Sequence, residues 1–210
     1  STGTISGKTA LLFPGQGSQY SGMLRDLACA FPQMNAVLTA ADQGFSLPDN
    51  SRLSDRIYPA ADFSEGAAIS QEERLRATDV AQPAIGAVSI GALRILESFG
   101  FSADAAAGHS YGELTALSAA GCIDETALHT LSRLRGRLMA GDGGDKGSML
   151  AVPAPLATVE KIIAEEGLDL VIANRNAPAQ AVLSGKSSEI DRAATIFAAK
   201  NLAVKKLPVA

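Results

Sequence analysis

Residues 108–112, Gly-His-Ser-Tyr-Gly, place a serine between two glycines just before an alanine-rich, helix-like stretch. This G-x-S-x-G pattern is typical of a nucleophile elbow, in which glycines let the chain turn sharply from a strand into a helix and leave the Ser110 hydroxyl accessible. The backbone N–H of Tyr111 then lies at a helix N-terminus, where it can help to hold an oxyanion. An ordinary tight turn capped by serine has the same pattern, so the pentapeptide alone leaves both interpretations open.

Arg135 is the second residue whose position indicates chemistry. In a helix predicted over residues 124–139, with about 100° per residue, Arg135 shares a face with apolar side chains. These are Leu128, Leu131, Leu138 and Met139, whereas Arg133 and Arg137 point to the opposite side. A guanidinium cannot lose its proton on burial, so it needs an anion beside it. That anion is either an internal carboxylate such as Glu113 or a carboxylate on a substrate, held by paired hydrogen bonds.

The two histidines do not complete a catalytic triad by their positions in the sequence. His109 is the immediate neighbour of Ser110, and adjacent side chains on a sharp turn usually diverge, so it is a poor candidate for the general base. His129 falls off the apolar face of its helix, which predicts an exposed surface residue. The sequence contains no Cys/His cluster, and we therefore expect no metal site.

Composition narrows the class of protein. The 210 residues are 47% hydrophobic and 19% charged, which predicts a globular protein with a sizeable core. The net charge of −4 does not favour nucleic acid as a partner. Two cysteines form no disulfide framework and fit a reducing compartment. No leader sequence or run long enough for a membrane span is evident, so we expect a cytoplasmic protein with no membrane contact.

Apolar patterning predicts two structural parts joined by a glycine-rich hinge at residues 141–147. The first part, residues 1–140, begins with a strand at 9–13. Helices are predicted at 21–30, 33–42, 81–99, 111–120 and 124–139. Residues 46–79 are predicted to form a long surface segment with little regular structure. Pro83 is expected in the first turn of its helix, where proline costs least.

The second part, residues 147–209, has the order βαββαβ. Strands are predicted at 148–152, 169–174, 180–184 and 203–209, and helices at 155–166 and 187–200. This order is that of a ferredoxin-like unit.

Five motifs, in their order along the chain, resemble those of malonyl-CoA:acyl-carrier-protein transacylases. They are LLFPGQGSQYSGM, ATDVAQPAIGAV, GHSYGEL, RLRGRLM and ANRNAPAQAVLSG, and the resemblance extends over residues 9–209. It is greatest to the acyltransferase domains of polyketide synthases and related polyunsaturated fatty acid synthases. It implies an α/β fold made of an α/β-hydrolase-like core with a ferredoxin-like subdomain.

The resemblance also implies roles for individual residues. Ser110 would attack the thioester of an acyl-CoA, with the backbone amides of Gln16 and Tyr111 as the oxyanion hole. Arg135 would bind the carboxylate of a malonyl-type group, and four further residues would line the pocket: Gln82, His109, Met139 and Asn174. The acyl group would pass to the phosphopantetheine thiol of an acyl carrier protein, within fatty acid or polyketide biosynthesis and beside other domains of a synthase. Malonyl-CoA would be the substrate, with no bound cofactor.

In the family that these motifs resemble, the catalytic histidine follows the last strand of the small subdomain, where this sequence stops. We therefore expect residues 1–210 alone to lack the general base and the C-terminal part of the core, and to be a poor enzyme. Two other functions stay open: an esterase or thioesterase, which would explain G-x-S-x-G, and a non-catalytic fragment that docks a carrier protein. The sequence does not distinguish malonyl from methylmalonyl specificity.

Overall fold

The computed structural model describes residues 7–141, 145 and 147–207. The chain divides into two units, Ser1–Ala140 and Gly141–Ala210. The predicted hinge falls largely outside the described residues, as do most of the N-terminal segment and the end of the last predicted strand.

The first unit carries a parallel pair of strands among seven helices of its described residues. Strand β1 (Ala10–Phe13) pairs with β2 (Ala105–Gly108), from Ala10 opposite Ala105 to Phe13 opposite Gly108. The helices are α1 (Arg25–Ala30), α2 (Pro32–Asp42), α3 (Leu53–Ile57), α4 (Ala67–Arg76), α5 (Thr78–Ser98), α6 (Gly112–Ala119) and α7 (Glu125–Ala140). A parallel pair needs a crossover connection, and here α1–α5 make it.

Helix α5 is the central element of the first unit. Its side chains enter two apolar clusters, one with α1–α4 and one with β1, α6 and α7. It is long and apolar enough to span a membrane, contrary to the expectation from sequence. However, 72% of its most apolar window is buried, as in the core helix of a soluble protein. The helix begins at Thr78, so Pro83 lies in its second turn and not, as predicted, in its first.

The prediction that residues 46–79 have little regular structure is wrong, because α3 and α4 form there. Both helices are short and largely polar, but each contributes side chains that are almost completely buried: Leu53 and Ile57 from α3, and Leu75 from α4. These three side chains pack in the same cluster as α5. Tertiary burial therefore orders a segment whose local composition is that of a loop.

The second unit is a four-stranded sheet with two helices. Its elements are β3 (Ser148–Val152), α8 (Leu156–Glu165), β4 (Val171–Ala177), β5 (Gln180–Gly185), α9 (Ser187–Ala199) and β6 (Lys205–Leu207). The strand order is β4-β5-β3-β6, and every neighbouring pair is antiparallel. Strands β3 and β5 and both helices supply its core, which includes the fully buried Phe197.

Candidate active site

Ser110 stands on a sharp turn between β2 and α6, as the elbow pattern predicts. Its φ is 53°, in the left-handed region that a serine seldom adopts without a constraint from its surroundings. Glycines on both sides allow that turn. A Cβ at Gly108 would lie closer than 3.0 Å to the Gly112 carbonyl, and one at Gly112 would lie closer than 3.0 Å to the Phe13 carbonyl oxygen. A larger residue at Gly108 would force β2 and the start of α6 apart, and one at Gly112 would force the turn away from β1.

The loop after β1 lies directly against this turn. The His109 amide donates a hydrogen bond to the Phe13 carbonyl over 3.1 Å. A Cβ at Gly15 would come within 2.6 Å of the His109 carbonyl oxygen and 3.3 Å of the Ser110 Cβ. Gly15 therefore permits a close approach, and it brings the next residue, Gln16, beside the serine. Exposed His109 lies at the same place, with its Nδ1 3.3 Å from that Cβ position.

Arg135 reaches the serine from α7. Its Nη1 donates to the Gln82 Oε1 over 2.7 Å, and its Nη2 lies 3.5 Å from the Ser110 Oγ. Glu113, the internal carboxylate considered from sequence, is exposed. Within the described part of the chain Arg135 hydrogen-bonds to Gln82 and Ser110 and forms no ion pair with a carboxylate. A half-buried guanidinium thus points at the serine, and no acidic side chain of the described residues compensates its charge.

A row of side-chain hydrogen bonds connects this guanidinium to the loop after β1. The fully buried Gln82 donates from Nε2 to the Gln16 Oε1 over 3.2 Å and to the Met139 Sδ over 3.4 Å. Gln16 in turn donates from Nε2 to the Thr78 Oγ1 over 3.1 Å. The row therefore fixes the orientation of the Arg135 side chain and of the Gln16 loop together.

The structure thus brings together six of the predicted site residues, all in the first unit. They are Gln16, Gln82, His109, Ser110, Arg135 and Met139. Tyr111 follows the serine and caps α6. Asn174 lies in the second unit, half-buried beside an irregularity in the pairing of β4 with β5, and its place in the pocket stays a prediction. Sequence reasoning missed Thr78, although it precedes Gln82 by one helical turn and so shares its face.

Two expectations for α7 are wrong. His129 is buried, with a relative exposure of 6%, and it lines one small cavity together with Ala40 and Gln43 from around the end of α2. Conversely, the predicted apolar face that carries Arg135 is only partly buried. Leu128 is fully buried, but Leu131, Leu138 and Met139 have relative exposures of 37%, 73% and 41%.

Comparisons with known proteins show the family of the chain. The sequence profile described as "Acyl transferase domain" matches residues 10–210. The chain belongs to this acyl transferase domain family. The resemblance seen in the five sequence motifs is thereby confirmed. The predicted α/β fold class is confirmed as well.

Relatives in this family include both synthase domains and single enzymes. One large polypeptide of the polyunsaturated fatty acid synthase of a Thraustochytrium species is 35% identical over 199 residues, which are 91% of this chain and 7% of that protein. Malonyl CoA-acyl carrier protein transacylase of Bacillus subtilis is 35% identical over 208 residues, 96% of this chain and 61% of the relative.

A solved structure gives a close structural match. It is a malonyl-transacylase in complex with its type II polyketide synthase acyl-carrier protein. It has a TM-score of 0.78 and 30% identity over 97% of this chain and 63% of the matched one. The chain therefore spans less than two thirds of the length of these relatives.

Proposed function

We propose that the protein transfers a malonyl-type acyl group from coenzyme A, through an ester on Ser110, to the phosphopantetheine thiol of an acyl carrier protein. The observation that carries this proposal is the Arg135 guanidinium, 3.5 Å from the Ser110 Oγ with no acidic partner among the described residues. The carboxylate of a malonyl ester stands two bonds from the reacting carbonyl carbon. An arginine beside the nucleophile is therefore placed to bind it.

The reaction has two balanced half-steps. In the first, the Ser110 Oγ bonds to the thioester carbonyl carbon while its proton passes to a general base, and the carbon–sulfur bond breaks to release coenzyme A. In the second, the carrier thiol gives its proton to the base and its sulfur bonds to the ester carbon; the carbon–oxygen bond to Ser110 breaks, and the serine oxygen takes the proton back from the base. We assign the oxyanion hole to the backbone amides of Gln16 and Tyr111. Support comes from the contact of the Gly15 loop with the turn and from the position of Tyr111 at the start of α6.

Arg135 also accounts for transfer in preference to hydrolysis. A bound carboxylate fixes the acyl chain in one orientation, so the ester can be held away from water until a thiol arrives. Acyl groups without a carboxylate leave the guanidinium unpaired and are disfavoured. Gln82, Met139, His109 and Asn174 are proposed to line or support the pocket. For Gln82 and Met139 the support is their hydrogen bond to each other and the contact of Gln82 with Arg135.

We further infer the two family subdomains from the elements themselves. The order β4-β5-β3-β6 with two helices matches a ferredoxin-like unit. The parallel pair of β1 and β2 with a nucleophile elbow at the end of β2 supports an α/β-hydrolase-like core. The carrier protein and neighbouring synthase domains are proposed as partners, because relatives include a transacylase solved with its carrier and a much longer synthase polypeptide.

Intact-mass spectrometry after mixing the protein with malonyl-CoA tests the acyl-serine. We expect one malonyl adduct, mapped to Ser110 and absent from Ser110→Ala. Ser110→Cys shows whether acylation is limited by removal of the serine proton, because a thiol is partly ionised near neutral pH and depends less on a base. An adduct on the cysteine but not on the serine would show that removal of the serine proton is the slow step. Binding of carrier protein without acylation of either variant would instead support a docking role.

Specificity is tested by Arg135→Ala, with Arg137→Ala as the matched control, since Arg137 is exposed two residues further along α7. Loss of a charge-assisted contact should lower the rate with malonyl-CoA relative to acetyl-CoA by about 10- to 100-fold. Arg137→Ala should leave the ratio unchanged. An unaltered preference in Arg135→Ala, or fast hydrolysis of simple nitrophenyl esters by the unmodified protein, would count against the proposal.

A further inference from the structure

The side chain of Tyr111 does not face the site; it is enclosed between α5 and α7. Its relative exposure is 0%. Its hydroxyl lies 2.6 Å from the Ser132 Oγ, and that Oγ donates its own proton to the Leu128 carbonyl over 2.6 Å. The tyrosine is therefore the donor in the pair. Burial raises the pKa of Tyr111 to about 12, so the donor proton stays in place at neutral pH.

The tyrosine ring also rests directly on the backbone of α5. A Cβ at Gly86 would lie closer than 3.0 Å to the Tyr111 hydroxyl oxygen and 3.1 Å from the ring carbon Cζ. Only glycine leaves room there for the hydroxyl. Tyr111 is thus held at two points: by the surface of α5 at Gly86 and by a hydrogen bond to α7 at Ser132.

The same two helices hold the guanidinium that faces the serine. Gln82 lies four residues before Gly86 on α5, and Arg135 lies three residues after Ser132 on α7. Each helix therefore contacts the elbow through Tyr111. About one turn away, α5 carries Gln82 and α7 carries Arg135, and these two side chains are hydrogen-bonded to each other. Because Tyr111 is covalently next to Ser110, its side chain links the nucleophile to both helices.

We propose that Tyr111 is a positioning residue that sets the distance between the Ser110 Oγ and the Arg135 guanidinium, and thereby the preference for acyl groups that carry a carboxylate. Its side chain touches no substrate and acts through Arg135. This inference rests on the proposed function. The alternative is that the buried tyrosine contributes only to stability, in which case its loss changes the rates with all acyl groups by the same factor.

Tyr111→Phe tests the inference because it removes only the hydroxyl and keeps the ring. We expect the ratio of malonyl to acetyl transfer to fall about three- to tenfold, the effect of one hydrogen bond. The rate with malonyl-CoA should fall more than the rate with acetyl-CoA. Ser132→Ala removes the other partner and should reproduce the change, and it keeps the test decisive if one variant fails to fold. The control is Tyr58→Phe, which loses a hydroxyl bonded to the Met23 carbonyl and should not change the ratio.

Combination with Arg135→Ala separates failure of this inference from failure of the proposed function. If Tyr111 acts through the guanidinium, Tyr111→Phe should have no further effect on the ratio once Arg135 is removed. A ratio lowered by Arg135→Ala but unmoved by both Tyr111→Phe and Ser132→Ala would overturn the positioning role alone. A ratio that Arg135→Ala itself leaves unchanged would overturn the proposed function. Equal losses with both acyl groups would show a structural role only.

Discussion

Replacing Gly86 by alanine introduces one methyl group where α5 packs directly against Tyr111. The new Cβ would overlap the Tyr111 hydroxyl oxygen, which cannot move freely because it is bonded to Ser132 over 2.6 Å. The rigid aromatic ring offers no rotamer that withdraws the oxygen alone. Either α5 shifts, or the tyrosine leaves its place and its hydroxyl loses the bond to Ser132.

The expected cost follows from three contributions. Overpacking a well-packed core costs about 1–3 kcal/mol. A buried hydroxyl left without a partner adds about 1–3 kcal/mol. Alanine is favoured over glycine within a helix by about 1 kcal/mol, which opposes both. We therefore expect Gly86→Ala to lower the free energy of unfolding by about 1–5 kcal/mol, with the larger values if the hydroxyl loses its partner.

Urea unfolding followed by far-ultraviolet circular dichroism measures this change. Gly91→Ala is the matched control on the same helix: its Cβ would also meet a side-chain atom closer than 3.0 Å, but that atom is the sulfur of flexible Met34. It should cost clearly less. In the Tyr111→Phe background the nearest ring atom to the new Cβ is Cζ at 3.1 Å, so Gly86→Ala should be nearly neutral there. An equal cost in both backgrounds would refute the argument that the hydroxyl is the obstacle.

Two further predictions concern other parts of the first unit. Burial lowers the pKa of His129, against the opposing charge of Glu125. The unfolded state therefore binds the proton first, and the free energy of unfolding should fall as the pH drops below about 6.5. The urea midpoint should decline over this pH range in the unmodified protein and should decline less in His129→Gln. The same pH profile in both proteins would contradict this prediction. Gly112→Ala, whose Cβ would overlap the Phe13 carbonyl, should abolish acylation of Ser110 and lower solubility, and a soluble, acylated variant would disprove the packing argument.

The elbow could be predicted from sequence because its requirements are local. Two glycines around Ser110 at fixed spacing indicate a sharp turn, and the structure confirms the strand before it and the helix after it. The start of α7 depends on an equally local feature, because aspartate is a preferred N-cap residue and the Asp124 Oδ1 accepts the Ala127 amide over 2.7 Å. The need of Arg135 for an anion also followed from its helical position, although periodicity could not say whether that anion was internal.

What the sequence could not supply depends on contacts between distant elements. His129 is buried near Ala40 and Gln43, which lie about 90 positions earlier in the chain, and no pattern within α7 reveals that proximity. Helices α3 and α4 are ordered by three apolar side chains that pack on α5, within a composition typical of a loop. The enclosure of Tyr111 depends on a glycine 25 positions earlier in the chain, so its direction could be known only from the packed structure.

The pairing of β1 with β2 also bears on how the protein folds. The Thr9 amide donates to the Asp104 carboxylate, and the two residues are 95 positions apart. Closing so long a loop carries a large entropic cost before any strand hydrogen bond compensates it, and non-local pairing of this kind slows folding. The helices between the strands can form from local contacts much earlier. We therefore expect the nucleophile to acquire its geometry late on the folding pathway, so that acylation of Ser110 during refolding reports the final step more faithfully than helix content does.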